Sequence, residues 1–283
     1  TTGDFDLSNN VINTVDTVRS SFDPNDIAVS PKGYILPCTQ LQYKVRFQNT
    51  GNDTAHNIYV LDTLSSDLDP SSLQAVISSH PMFVSVINDG VRNIAKFEFA
   101  GINLPDSSHH GLSEGMFLFN IKAKSTLADG NEIRNRVGIY FDENPVVMTN
   151  EVVNTGGIAP ITGPSDVCIG YPAQFRDITK GGYWASSVAA VGTIGTAGVM
   201  SGLTAGTTVV SYTVTNACTS RTATKLVTVN PVVSPTISIS SAPGDTVCAG
   251  TSVAYTAAFT YPGSAPVYTW RVNGVSVGSG PTY

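Results

Sequence analysis

Leu41-Gln42-Tyr43-Lys44-Val45-Arg46-Phe47-Gln48 places an apolar residue at every second position and a polar or charged one between them. Successive side chains of an extended strand point to opposite faces, so the octapeptide reads as a strand with one face buried and one in water. The turn-forming cluster Asn49-Thr50-Gly51-Asn52-Asp53 follows, and Asn57-Ile58-Tyr59-Val60-Leu61 resumes an extended run. That order predicts a hairpin or short loop. Phe117, Phe119, Ile121 and Ala123 alternate with Leu118, Asn120, Lys122 and Lys124, and Val137-Gly138-Ile139-Tyr140-Phe141 is another β-rich run. The best helical stretch is Asp69-Pro70-Ser71-Ser72-Leu73-Gln74, enough for one turn with a proline at its first position. The chain therefore reads as all-β.

Its 283 residues fit two or three domains. Charged residues make up 13% against a usual ~25%, and 26 Gly with 16 Pro leave little room for long helices, which excludes disorder, coiled coil and collagen. Fifteen basic against twenty-one acidic residues are the wrong balance for gripping phosphate backbones, so nucleic acid is not expected as a partner. No apolar run approaches the ~18 residues of a spanning helix, so no direct membrane insertion is expected; Thr1-Thr2-Gly3-Asp4-Phe5 lacks signal-peptide character and reads as other than a native start.

Composition shifts near residue 155, from Asp, Asn, Phe and His to Thr, Ser, Val, Ala and Gly, across the small, flexible connector Thr155-Gly156-Gly157-Ile158-Ala159-Pro160. Thr207–Thr215 and Thr224–Val229 are two further strands, and Asn230-Pro231 closes a second module. A third begins at Val232, with the Asn273-Gly274 pair of a type I′ hairpin turn between Val267 and Val277. The expected organisation is 1–19 as the tail of a preceding module or a strand or linker, 20–155 and 156–231 as β-sandwich modules, and 232–283 as a partial one. The chain is thus expected to be a segment of a longer polypeptide.

Four cysteines, Cys38, Cys168, Cys218 and Cys248, form no CxxC pair, so zinc-ribbon and thioredoxin-type readings fail on spacing. Cys168 near the start and Cys218 near the penultimate strand of one small module favour a Cys168–Cys218 bridge over two free thiols, at roughly 4 kcal/mol of loop-closure entropy. Cys248 is then expected to pair beyond Tyr283, and Cys38 to be a small buried residue. This usage points to an oxidising, extracellular setting.

Ser21-Phe22-Asp23-Pro24-Asn25-Asp26, Tyr43 to Gly51 reading YKVRFQNTG, Asp62-Thr63-Leu64, Leu104-Pro105-Asp106-Ser107 and Ile139-Tyr140-Phe141-Asp142-Glu143-Asn144-Pro145 with Thr149-Asn150 occur in one order. On these motifs residues 20–155 resemble a domain of unknown function common in large secreted Bacteroidota proteins, related to the conserved-repeat domains of bacterial surface proteins. Ile27 and Glu143 depart from that pattern. Residues 156–231 resemble a bacterial Ig-like domain through Gly181-Gly182-Tyr183-Trp184, Gly198–Thr207 and Val214–Cys218. Val247-Cys248-Ala249-Gly250 and the Trp270 hairpin resemble an Ig- or PKD-like module. The resemblance implies tandem Ig-like β-sandwiches, the last incomplete, of the kind that precede a type IX secretion sorting domain.

Candidate sites are sparse. His109-His110 lie side by side, so on extended backbone they point to opposite faces and make a poor metal pair. No GxSxG, HExxH, P-loop or dinucleotide fingerprint appears. Asp23, Asn25 and Asp26, with Asp142, Glu143 and Asn144 as a second cluster, are the candidate oxygen ligands of a structural calcium; the competing reading is Asx-turns and amide caps. No other cofactor is expected. Lys44, Lys122 and Lys124 are candidates for a Lys–Asn isopeptide bond, disfavoured by their polar-face positions. Thr17, Thr54, Thr63 and Thr246 follow Asp in a weak motif resembling bacterial O-glycosylation sites. Trp184 and Trp270 offer a carbohydrate platform, with core packing the commoner role.

The expected function is non-catalytic: an extracellular or outer-surface segment acting as stalk, adhesin shaft or fibre, its partners the neighbouring modules of the same long chain, surface glycans or other surface proteins. Two alternatives are a carbohydrate- or protein-binding accessory region of an exported enzyme, and a filament subunit whose residues 4–19 add a strand to a neighbour's open sheet edge.

Overall fold

The computed structural model describes residues 24–109, 111–261, 263 and 265–283. Among these every regular element is a strand. The all-β reading holds, and no helix among the described residues is long and apolar enough to cross a membrane. The chain divides into two compact units.

The first unit runs to Ile161 and also takes in 177–183 and 212–223, a division that differs from a boundary at 155. Its strands are β1 (Asp26–Ser30), β2 (Gly33–Ile35), β3 (Gln40–Gln48), β4 (Ile58–Thr63), β5 (Leu68–Ser78), β6 (Phe83–Asn88), β7 (Asn93–Phe99), β8 (Glu114–Ala123), β9 (Glu132–Asn135), β10 (Val137–Phe141), β11 (Val147–Met148) and β12 (Val152–Gly156). One sheet has the order β1-β3-β8-β5, a second β11-β10-β4-β7-β6, and β2-β12-β9 forms a third. The alternation in β3 puts Leu41, Tyr43, Val45 and Phe47 inside, and that in β8 buries Phe117, Phe119, Ile121 and Ala123.

The first two sheets face each other across an aromatic layer. The Phe97 ring lies 4.5 Å from Phe117 and 4.8 Å from Phe119, and Phe47 lies 5.1 Å from Phe99. These tilted contacts add to the burial of apolar area that holds the sandwich closed. Gly115 in β8 is required by this packing: a Cβ there would stand 2.2 Å from Cζ of Phe47. Gly115→Ala is therefore expected to destabilise the unit by about 1–3 kcal/mol through overpacking, read as a lower urea midpoint; an unchanged midpoint would show that Phe47 yields freely.

Asp69–Gln74, the one stretch with the makings of a helical turn, is extended, in keeping with the all-β reading. The segment is part of β5, whose register against β8 slips between Asp69 and Gln74. Leu68, fully buried opposite Ala123, anchors the strand, and the extra residues bulge. Polar side chains satisfy the bulge: Ser71 N donates to Asp69 Oδ1 at 3.1 Å, Ser72 Oγ to Asp69 O at 2.6 Å, and Lys122 N to Ser72 Oγ at 2.8 Å.

The second unit comprises 162–176, 184–211 and 224–283. Strands β13 (Asp166–Cys168), β14 (Pro172–Gln174), β15 (Tyr183–Ser186), β16 (Gly192–Ile194), β17 (Val199–Gly202), β18 (Gly206–Thr215), β19 (Ser220–Asn230), β20 (Thr236–Ala242), β21 (Ala254–Thr260), β22 (Trp270–Val272) and β23 (Val275–Gly278) complete the chain. Val167, Phe175, Met200, Val210, Val227 and Val229 are its buried core. The predicted type I′ turn stands between β22 and β23, with φ of 50° at Asn273 and 84° at Gly274.

Candidate functional site

The corner after β2 is held by several constraints at once. Pro37 precedes Cys38, whose φ of 62° is left-handed, and Thr39 N donates to Leu36 O at 3.2 Å to close the turn. Opposite it is the loop after β18, where Asn216 Oδ1 accepts from the amides of Cys218 and Thr219, each at 3.0 Å. Asn216 Nδ2 donates to Pro37 O at 2.8 Å, and Cys38 is disulfide-bonded to Cys218 with the two Cα atoms 6.1 Å apart.

The expected Cys168–Cys218 bridge is thereby corrected, as is the reading of Cys38 as a simple buried thiol. Cys168 is register partner of Asn230, the last residue of β19, whereas Cys218 precedes its first, Ser220. β19 is eleven extended residues from one end to the other, far beyond the ~7 Å that a disulfide spans. Cys168 and Cys248 are free and exposed.

Further contacts secure the corner. Arg221 Nε donates to Asp129 Oδ1 at 3.2 Å and Oδ2 at 3.3 Å. The Tyr212 hydroxyl accepts from Gly182 N and donates to Thr179 O, both at 2.9 Å, while Thr179 Oγ1 accepts from Ala159 N at 2.8 Å. Tyr212→Phe strands one buried acceptor and one amide. An expected loss of about 1–3 kcal/mol follows, measured by urea unfolding; a variant as stable as the parent would show that the hydroxyl is dispensable.

Three of the proposed oxygen ligands, Asn25, Asp26 and Asp142, accept from protein donors. Arg46 makes a two-pronged ion pair with Asp26, at 2.6 Å from Nε to Oδ1 and 2.5 Å from Nη2 to Oδ2. Asn25 Oδ1 accepts from Gln48 N at 3.1 Å. Asp142, with φ of 49°, caps two backbone amides: His56 N donates to Oδ2 at 2.9 Å and Asn57 N to Oδ1 at 2.7 Å. Asp142 and Asn144 line an open hollow of about 510 Å³ with 49–56, which does not include Asn25 or Asp26. Asp23 lies outside the described residues. Among the described residues no three or more His, Cys, Asp or Glu are grouped to hold a metal.

Thr63 and Thr246 are exposed and Thr54 half-buried, while Thr17 and residues 4–19 lie outside the described residues. Lys44, Lys122 and Lys124 are exposed. Trp270 Nε1 donates to Gly280 O at 3.0 Å, and its ring stacks on Tyr283 with centroids 5.9 Å apart.

His109 has an acid and a hydroxyl nearby, but in the wrong geometry for a relay. Asp106 Oδ1 at 3.4 Å and Ser108 Oγ at 3.2 Å approach the same ring nitrogen, Nδ1, whereas a nucleophilic relay engages opposite nitrogens. His110 lies outside the described residues.

A second hollow, of about 430 Å³, is lined by Arg92, Arg134, Arg136, Leu61, Tyr140 and Met148, among others. Asp89 pairs with Arg92 at 3.1 Å, and Glu132 and Glu151 each hold Arg134 at 2.6 Å. The adjacent Tyr140 ring stacks on Tyr59 at 4.5 Å, with Lys96 Nζ 5.4 Å from the Tyr59 centroid.

The titratable group missed from sequence is Asp62. It is fully buried at the inner end of β4, and Asn135 Nδ2 donates to its Oδ2 at 2.9 Å. Asp62 Oδ1, Asn135 Oδ1 and the Tyr43 hydroxyl are buried without a hydrogen bond in the protein. Burial pushes the carboxyl pKa up to about 7 against a smaller downward pull from Asn135, and burial with the Asp62 charge raises the Tyr43 phenol. The signal was present: Asp62 is in phase with the inward Ile58 and Val60.

Residues 23–155 match the family described as Domain of unknown function (DUF7619). No curated protein is significantly similar to the chain. Among solved structures, the C-terminal domain of the AgI/II polypeptide BspA of Streptococcus agalactiae is 10% identical with a TM-score of 0.40, over 72% of this chain and 100% of that one. BcpA, the major pilin subunit of Bacillus cereus, is 15% identical with a TM-score of 0.34, over 73% of this chain and 68% of that one. The major pilin SpaA of Corynebacterium diphtheriae is 12% identical with a TM-score of 0.37, over 74% and 68%. At these identities and scores the likeness carries no argument about function.

Proposed function

We infer that the chain is a non-catalytic segment of a secreted or cell-surface protein, serving as a stalk, adhesin shaft or fibre element. The observation that carries this reading is the Cys38–Cys218 bridge between positions 180 apart, in a unit whose facing sheets close on an aromatic core. Such a bond persists in oxidising compartments and favours a stiff body. Two of the polar groups proposed as a site are spent on structure: Asp26 on Arg46 and Asp142 on two amides.

In this reading residues 20–155, 156–231 and 232–283 are successive modules, exported by a type IX route in a Bacteroidota cell, with neighbouring modules as first partners and surface glycans or proteins as further ones. The binding-region alternative draws on the arginine-lined hollow beside the Tyr59–Tyr140 stack, where planar donors and an aromatic face suit a saccharide or peptide. A maleimide applied to intact cells of the source organism, followed by mass spectrometry, tests the main reading. Labelling of Cys168 and Cys248 with Cys38 and Cys218 protected is the expected result; all four cysteines labelled only after lysis would place the protein inside the cell and sink it.

A further inference from the structure

We propose that the Cys38–Cys218 bond is a force bypass: tension entering the chain before residue 38 and leaving after residue 218 crosses the sulfur–sulfur bond and does not load the polypeptide between. The proposal rests on the fibre reading for its use, but its mechanics follow from connectivity. The bonded residues are 180 apart, so the closed loop contains β3 to β18, nearly all of both facing sheets. Outside the loop, the described part of the first unit's amino-terminal leg consists of Pro24 and Asn25, β1, β2 and the turn to Cys38.

That short leg is fastened by side chains along its length. Arg46 grips Asp26 in two hydrogen bonds. Asn150 replaces a strand partner for Ile27, accepting from its N–H and donating to its C=O, each at 3.0 Å. Asn154 Nδ2 donates to Pro31 O at 2.9 Å and to Gly33 O at 3.1 Å, beside the parallel pairing of β2 with β12. On the other side of the bond, Arg221 holds Asp129 and Asn216 holds Pro37 O. Every one of these anchors outside the leg, Arg46, Asn150, Asn154, Asp129 and Asn216, belongs to the loop that the disulfide shields from extension. The pulled leg is thus fastened to residues that the bond removes from the covalent path of the tension.

The test is single-molecule extension of the chain held by its two ends. Oxidised protein is expected to stop short of Cys218→Ser protein by roughly 600 Å, the extended length of the locked loop at ~3.3–3.6 Å per residue. Because the variant loses the stabilisation of the bond, the same molecule is also followed in the oxidised form while held at constant force and given dithiothreitol. The reagent's thiolate attacks the bond, leaving two protein thiols and cyclic oxidised dithiothreitol, and the locked length is then released. Equal final lengths for the oxidised and Cys218→Ser forms would overturn the proposal, as would a shortfall of roughly 170 Å, which marks a Cys168–Cys218 loop instead. A measured shortfall in a protein found inside the cell would leave the bypass standing and remove the fibre reading; the converse pair of results would remove the bypass alone.

Discussion

The double substitution Cys38→Ser, Cys218→Ser is expected to lower the stability of the first unit by roughly 5 kcal/mol. The closed loop spans 180 positions, and in the chain-entropy model the cost of closing a loop rises with the logarithm of its length. In the oxidised protein that cost is already met in the unfolded state, so folding no longer bears it. Cys168 and Cys248 should first be changed to serine, because both are exposed thiols able to exchange with the bond. Urea unfolding of the two forms is the measurement. A large fall in midpoint is expected, whereas a difference below about 1 kcal/mol would mean that the side-chain contacts around Pro37 and Asp129 hold the corner without the bond.

The second large effect concerns pH. Asp62 has its folded pKa raised to about 7, against about 3.8 when unfolded. Between those values the folded chain keeps a proton that the unfolded chain has lost, so stability falls as pH rises from about 4 to about 7 and then levels. A shift of about three units corresponds to about 4 kcal/mol. Asp69, Asp89 and Asp106 act in the opposite sense and in another window: their pKa values are lowered, chiefly by hydrogen bonds from Ser71, Arg92 and Ser108 respectively, so their stabilisation is lost only as pH falls below about 4. Asp62→Asn keeps an oxygen to accept from Asn135 and removes the titration. The variant is expected to match the parent near pH 4 and exceed it by up to about 4 kcal/mol at pH 8. Parallel stability–pH curves for the two proteins would show that Asp62 ionises at little cost.

What sequence reading reached, it reached through period-two alternation. β3, β4, β8, β10 and β18 lie where apolar residues recur at every second position, because one buried face imposes that pattern on each strand. The bulge in β5 escaped, since Pro70 with two serines suits a helical first turn as well as a looped-out strand; only the pairing of Leu68 with Ala123 decides between them. The disulfide escaped for a deeper reason. Spacing assigns Cys218 to the module in which it lies along the chain, whereas the Asn216–Thr219 loop belongs to the compact unit that contains Cys38. No local pattern reports a contact across 180 positions. Asp62 is legible as an inward position in phase with Ile58 and Val60, but its partner Asn135 lies 73 residues away.

The Cys38–Cys218 bond locks the first unit, and a tryptic map without reductant tests this most directly. Cleavage after lysine and arginine puts the four cysteines on separate peptides: 33–44 carries Cys38, 137–176 Cys168, 181–221 Cys218 and 226–271 Cys248. The account predicts a cross-linked mass joining 33–44 to 181–221 that disappears on reduction, with 137–176 and 226–271 unlinked. A mass joining 137–176 to 181–221, with 33–44 recovered alone, would contradict it.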